Sequence, residues 1–268
     1  MISEFPLFVF TTLAGLAAGA YAVSAVFPVQ GGAAGEGGGA AGASGEGARK
    51  RAWLFPLVCL VLLGLGLIGC LFHLARPAMF LNALANPTAG IAQEAYLSIV
   101  FGVLLVADLI VAWRKGAVLR PLRIVGAVAA VALVLVMGNA YLASAGVPAW
   151  TSWQTILLYL FGDLAMGAAL LAAFDNALLG RSGYAVASAV LSVLAALSCA
   201  LEAAHFAGVG ADMVLLAAGA VIVAVGAALQ FVAKSGKMPA KTAAWAAFAC
   251  VFIGVAIARY GFYAACML

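Results

Sequence analysis

The segment LFPLVCLVLLGLGLIGCLFHLARP (Leu54–Pro77) decides the fold. From Ala52 to Leu74 it holds no Asp, Glu, Lys or Arg, and its one histidine, His73, comes at the far end. A bilayer core about 30 Å thick is crossed by about 20 apolar residues in a helix, so this run is a membrane helix. Shorter segments of alternating hydrophobicity, the mark of a membrane barrel, are absent from it.

Seven further stretches read the same way: Phe5 to Phe27, Ile91 to Trp113, Leu119 to Ala143, Trp153 to Phe174, Gly183 to His205, Met213 to Ala233 and Lys241 to Ala265. Of the 268 residues, 67% are hydrophobic and 8% charged. A soluble domain has about 45–50% apolar and about 25% charged residues, and no core could absorb the difference. The fold class expected is an all-α integral membrane protein of eight transmembrane helices, residues 1–268 forming one membrane domain. The N-terminus, MISEFPLFVF, has no basic residue ahead of its apolar run, so a retained helix is expected rather than a cleaved signal. Residues 29–51 are rich in Gly and Ala and read as a flexible spacer. They lack the G-K-[ST] ending of a phosphate loop.

The basic residues orient the bundle. Arg49, Lys50 and Arg51 fall in the first loop and Arg114, Lys115, Arg120 and Arg123 around the third. Arg181 lies in the fifth, and Lys234, Lys237 and Lys241 lie at the seventh. The even loops hold only Arg76, and Arg259 lies inside the last span. Cytoplasmic loops collect Lys and Arg, so the odd loops are expected inside and both termini outside. The five cysteines, Cys59, Cys70, Cys199, Cys250 and Cys266, form no C-x-x-C pair and fit neither a zinc nor an iron–sulfur ligand set.

Ionisable groups at membrane depth cost about 2.5–3.5 kcal/mol each on insertion scales, so their positions carry information. Orientation brings His73, Glu94, Glu202, His205, Arg259 and Tyr263 to the outer ends of helices two, three, six and eight. Residues three, four and seven apart share a helix face. Gly66, Gly69 and His73 therefore align, as do Ser198, Cys199, Glu202 and His205. Arg259, Phe262 and Tyr263 align on helix eight, and Glu94, Ser98, Phe101 and Asp108 on helix three. Structural readings stand beside each: a snorkelling rim histidine, an Arg259 ion pair with Glu94 or Glu202, and Asp108 paired near Arg114 and Lys115. Asp163, in mid-helix five, needs a partner, with Tyr159 one turn away. A quinol is the ligand this set would serve. Its tail lies in lipid, its two hydroxyls meet the rim, and a neutral His and a carboxylate can take its protons. Two other readings stay open: a secondary transporter using Asp163 and Asp108, and a haem b protein with His73 and His205 as axial ligands.

The stretch FHLARP, the loop NALANPTAGIAQE ending at Glu94, GVPAWTSW (Gly146 to Trp153) and ARYGFY (Ala258 to Tyr263) resemble the membrane-anchor subunit of dimethyl sulfoxide reductase. A more distant likeness is to the polysulfide reductase anchors. The motifs occur in the same order over nearly the whole chain. Ala75 stands where the family tends to have glycine, Arg76 adds a charge, and Asn139 stands where a basic residue is expected. The resemblance implies a haem-free, menaquinol-oxidising anchor in the cytoplasmic (inner) membrane of a prokaryote, working in anaerobic respiration. It implies as partners an iron–sulfur subunit with four clusters and a molybdopterin catalytic subunit, and no nucleic acid. It maps the quinol-site histidine and glutamate to His73 and Glu94. Arg76, Arg259, Tyr263 and Gly69 are the further quinol contacts expected, and Asp108, Glu202 and His205 the expected proton path.

Overall fold

A computed structural model describes residues 4–29, 52–72, 82, 84–144, 146–235 and 237–265. His73, Arg76 and all but the first residue of the 29–51 spacer lie outside them, so the expectations placed on those residues are not addressed by the structure. Among the described residues there is no strand, and eight helices are long and apolar enough to cross a membrane. They are α1 (Phe5–Val26), α2 (Leu54–Leu71), α3 (Gly90–Lys115), α4 (Arg120–Leu142), α5 (Trp153–Phe174), α6 (Ser182–Gly208), α7 (Val214–Lys234) and α8 (Ala240–Ala264).

The helix ends follow local chemistry. Pro6 sits in the first turn of α1 and Pro121 in that of α4, where a missing N–H costs nothing. Gly116, at φ 58°, takes the left-handed conformation that closes α3, directly after Arg114 and Lys115 in the last turn. Cations there complement the helix dipole. Gly210, at φ 75°, serves the turn between α6 and α7. A short 3-10 turn, Asn176–Gly180, links α5 to α6, its start held by the Asp175 carboxylate accepting from the Ala177 N–H. The sequence gives no warning of that turn.

The helices form two four-membered rings. α1 packs on α2 and α4, and α3 joins α2 and α4. Likewise α5 packs on α6 and α8, and α7 joins α6 and α8. The rings meet where α1 crosses α5, with α4 against α5 alongside. These two helices are the centre: 78% of the α1 span and 67% of the α5 span are buried, against 33–44% for the other six. Lipid offers no hydrophobic drive between helices, so close backbone approach must supply the packing. Gly15, Gly19 and Gly167 supply it here. A Cβ on Gly19 would fall on the Asp163 backbone carbonyl, one on Gly167 on the backbone of Gly19 and Ala20, and one on Gly15 on the Asp163 carboxylate. Gly219 and Gly254 play the same part between α7 and α8.

Candidate functional site

Alternating helix directions bring the start of α1, α3 and α5 and the end of α2, α4, α6 and α8 to one end of the bundle, the end that carries both termini. The polar side chains there arrive from six of these helices: α1, α3, α4, α5, α6 and α8. Tyr263 is the hub. Its hydroxyl donates to Tyr141 Oη at 2.8 Å and lies 2.8 Å from Tyr159 Oη and 3.0 Å from Thr11 Oγ1. All four side chains are buried. Aromatic rings surround the hydroxyls: Tyr141 stacks on Tyr159 at 5.5 Å, and Trp150 stacks on Phe262 at 5.4 Å.

Below the hub lies a buried ion pair. Arg259 Nη2 donates to Asp163 Oδ1 at 2.6 Å, both side chains wholly inaccessible. Arg259 Nη1 donates to the Thr11 carbonyl at 2.6 Å, and the guanidinium lies 4.5 Å from the Tyr159 ring centre. Thus three partners hold the charge: a carboxylate, a carbonyl and a π face. This corrects two sequence expectations. Arg259 pairs with neither Glu94 nor Glu202, and the partner of Asp163 is Arg259 rather than the Tyr159 hydroxyl. Tyr159 takes part through its ring instead.

The GVPAWTSW segment folds back over this end. Trp150 Nε1 donates to the Phe262 carbonyl at 2.7 Å. The end of α6 clamps the same segment: Glu202 accepts from Thr155 Oγ1 at 3.0 Å and Ser152 Oγ at 3.3 Å, and His205 Nε2 reaches the Pro148 carbonyl at 3.3 Å. Ser198, Cys199 and Glu202 are buried on one stripe while His205 is partly exposed. A carbonyl only accepts, so the His205 contact requires a proton on Nε2.

Glu94 is different. It is buried at the start of α3, yet its Oε1 has no hydrogen-bond partner among the described residues. One turn further along α3, Ser98 Oγ is buried and unpartnered too. The whole expected stripe, Glu94, Ser98, Phe101 and Asp108, faces inward. Gly69 turns to α1, where a Cβ would sit 3.0 Å from Val9 Cγ1. That side of Gly69, expected as a quinol contact, is therefore set against Val9 and the Pro6 carbonyl of α1.

Asp108 belongs to the opposite end. It accepts from Arg123 Nε at 2.6 Å and Tyr21 Oη at 3.1 Å, and Arg123 Nη1 donates to Ser24 Oγ at 3.1 Å. Its partner is therefore Arg123 on α4 and neither Arg114 nor Lys115. Sequence reasoning missed Arg123, Tyr21 and Thr11. Arg123 reads as a loop cation, and Tyr21 and Thr11 as ordinary apolar-span residues. The only local signal was Asp108 itself, a carboxylate needing a cation at membrane depth. Among the described residues no group of three or more His, Cys, Asp and Glu side chains could hold a metal.

The family model of the DMSO reductase anchor subunit (DmsC) matches residues 1–265. No curated protein sequence matches the chain.

Proposed function

Since the chain belongs to the DMSO reductase anchor subunit family and so is the membrane anchor of a DMSO reductase complex, we propose that it also binds menaquinol at the termini-bearing end and oxidises it. Association with a catalytic and an iron–sulfur subunit follows from the family. The finer reading is that quinol electrons pass from this end to the iron–sulfur subunit docked outside the membrane. Basic residues gathered at the odd loops support an outer placement of that end.

Glu94 carries the reading. Among the described residues Asp108, Asp163 and Glu202 each accept from at least one side-chain donor, though one oxygen of Asp108 and one of Asp163 is also unpartnered. Glu94, on the rim, accepts from none of the described residues, and its buried Oε1 is left without a partner. Such a group costs free energy unless a ligand completes it. A hydroquinone hydroxyl donates a hydrogen bond and then its proton. Oxidation releases two protons and two electrons. In this proposal Glu94 takes one proton, His73 takes the other, and both electrons go to the iron–sulfur subunit. Arg76 is a further head-group contact in this reading. Arg259 and Tyr263 belong to the fixed polar network at the same end, where Glu202 and His205 hold the GVPAWTSW segment. Asp108, at the far end, drops out of the proton path.

The test is Glu94→Gln in the assembled complex. The amide keeps the size but cannot take a proton, so quinol-driven turnover should fall by about 10²-fold or more. Turnover driven by an artificial one-electron donor, which bypasses the anchor, should be unchanged. His73→Ala should behave likewise. Quinol-driven turnover at the original rate in both variants would end the proposal.

A further inference from the structure

Between α2 and α3 a groove of about 360 Å³ opens on the lipid-facing side. Its walls are apolar, among them Leu63, Leu67, Val103 and Val106, and its one polar lining residue is Ser98. Two features set it apart from an ordinary lipid-facing surface. Gly64 and Gly102 form part of its floor, and neither is used for close helix packing. A Cβ on Gly64 would meet nothing within 4 Å, and one on Gly102 only Leu63 Cδ2 at 3.6 Å. A glycine inside a helix costs about 1 kcal/mol against alanine, so the notch is kept at some expense in helix stability. The groove also ends at chemistry: Ser98 Oγ and, one turn beyond, Glu94 Oε1 are buried without partners.

Resting on the quinol reading above, we infer that this groove seats the isoprenoid tail of the quinol, with its head at Ser98 and Glu94. A phospholipid acyl chain is the rival occupant. Its anionic phosphate would be placed towards an unpaired buried carboxylate, whereas the neutral hydroxyl head of a quinol donates to it. The groove spans Ser98 to Val106 on α3, about 12 Å at 1.5 Å per residue, so it holds the head-proximal part of the tail. In lipid the tail gains packing rather than freedom from water, so the effect on affinity is severalfold.

The experiment fills the notch with Gly64→Leu and Gly102→Leu, made separately in the assembled complex in lipid nanodiscs. Initial rates are measured with a long-tailed menaquinol and with a naphthoquinol lacking a tail. The expected result is a severalfold rise in KM for the tailed substrate alone, with kcat held. Val106→Trp, at the far end of the groove, should raise KM for long tails and leave a one-isoprene tail unaffected. Equal KM changes for tailed and tailless quinols, or none for either, would overturn the assignment, the second pointing to a lipid chain as occupant. Failure of the unsubstituted complex to oxidise any quinol would instead remove the underlying function, and the tail site with it.

Discussion

The buried pair of Arg259 and Asp163 gives the sharpest energetic test. At an N–O distance of 2.6 Å and an effective dielectric near 20, the mutual attraction is about 6 kcal/mol. Desolvation of both groups offsets most of that, so the net worth of the pair is small, but removing one member exposes the uncompensated cost of the other. Asp163→Asn keeps the shape nestled on Gly15 and one acceptor oxygen for Nη2, while Thr11 and Tyr159 still hold the guanidinium. What is lost is the countercharge, for an expected destabilisation of about 3–5 kcal/mol. Arg259→Met should cost a similar amount by stranding the carboxylate. The double variant replaces both charges by neutral groups and should recover most of the loss. With single losses of about 3–5 kcal/mol each and a residual of about 1–2 kcal/mol, the coupling energy is at least about 4 kcal/mol. Reversible unfolding of all four proteins in mixed micelles measures it. Additivity within about 0.5 kcal/mol would refute the view that the two charges answer each other.

Gly19→Ala should destabilise by about 1–3 kcal/mol by pushing α1 off α5, whereas Gly64→Ala, facing open space, should be neutral or slightly stabilising; thermal unfolding of the pair distinguishes a packing glycine from a notch glycine. Tyr263→Phe removes the hydroxyl shared by Tyr141, Tyr159 and Thr11, for an expected loss of about 1–3 kcal/mol with the fold retained, read from the same melts. Trp150→Phe keeps the stack on Phe262 but loses the donor to its carbonyl. It should cost about 1 kcal/mol and speed limited proteolysis of the segment from Val147 to Ser152.

Legibility divides along the distance over which each cause acts. Eight spans could be placed from hydropathy because a membrane helix satisfies its own backbone and needs only about 20 apolar residues in a row. Trp153–Phe174 matches the expected bounds, and the other seven differ by three residues or fewer at each end. The inward stripes were readable for the same reason. Glu94, Ser98, Phe101 and Asp108 share a face by the period of a single helix, whatever its neighbours. Glu94 at the rim was therefore visible as a candidate from the sequence. The absence of any donor to its Oε1 was not, since that depends on what α2 and α4 bring beside it.

Every ion pair and hub contact lay beyond that reach. Asp163 announced that it needed a partner, and its own helix offered Tyr159. The partner came from α8, 96 residues away in sequence, because glycines at 15, 19 and 167 let α1 and α5 touch backbone to backbone and so set α8 beside them. Asp108 likewise turned from the nearby Arg114 and Lys115 to Arg123 across the α3–α4 turn. The sequence alone determined that this is an eight-span membrane protein and which residues turn inward, because hydropathy and helical period are local. Which inward residues meet, which carboxylate is left without a donor, and where a groove opens were decided by tertiary structure, because in lipid helix pairing is set by the fit of small residues between surfaces that are otherwise equally apolar.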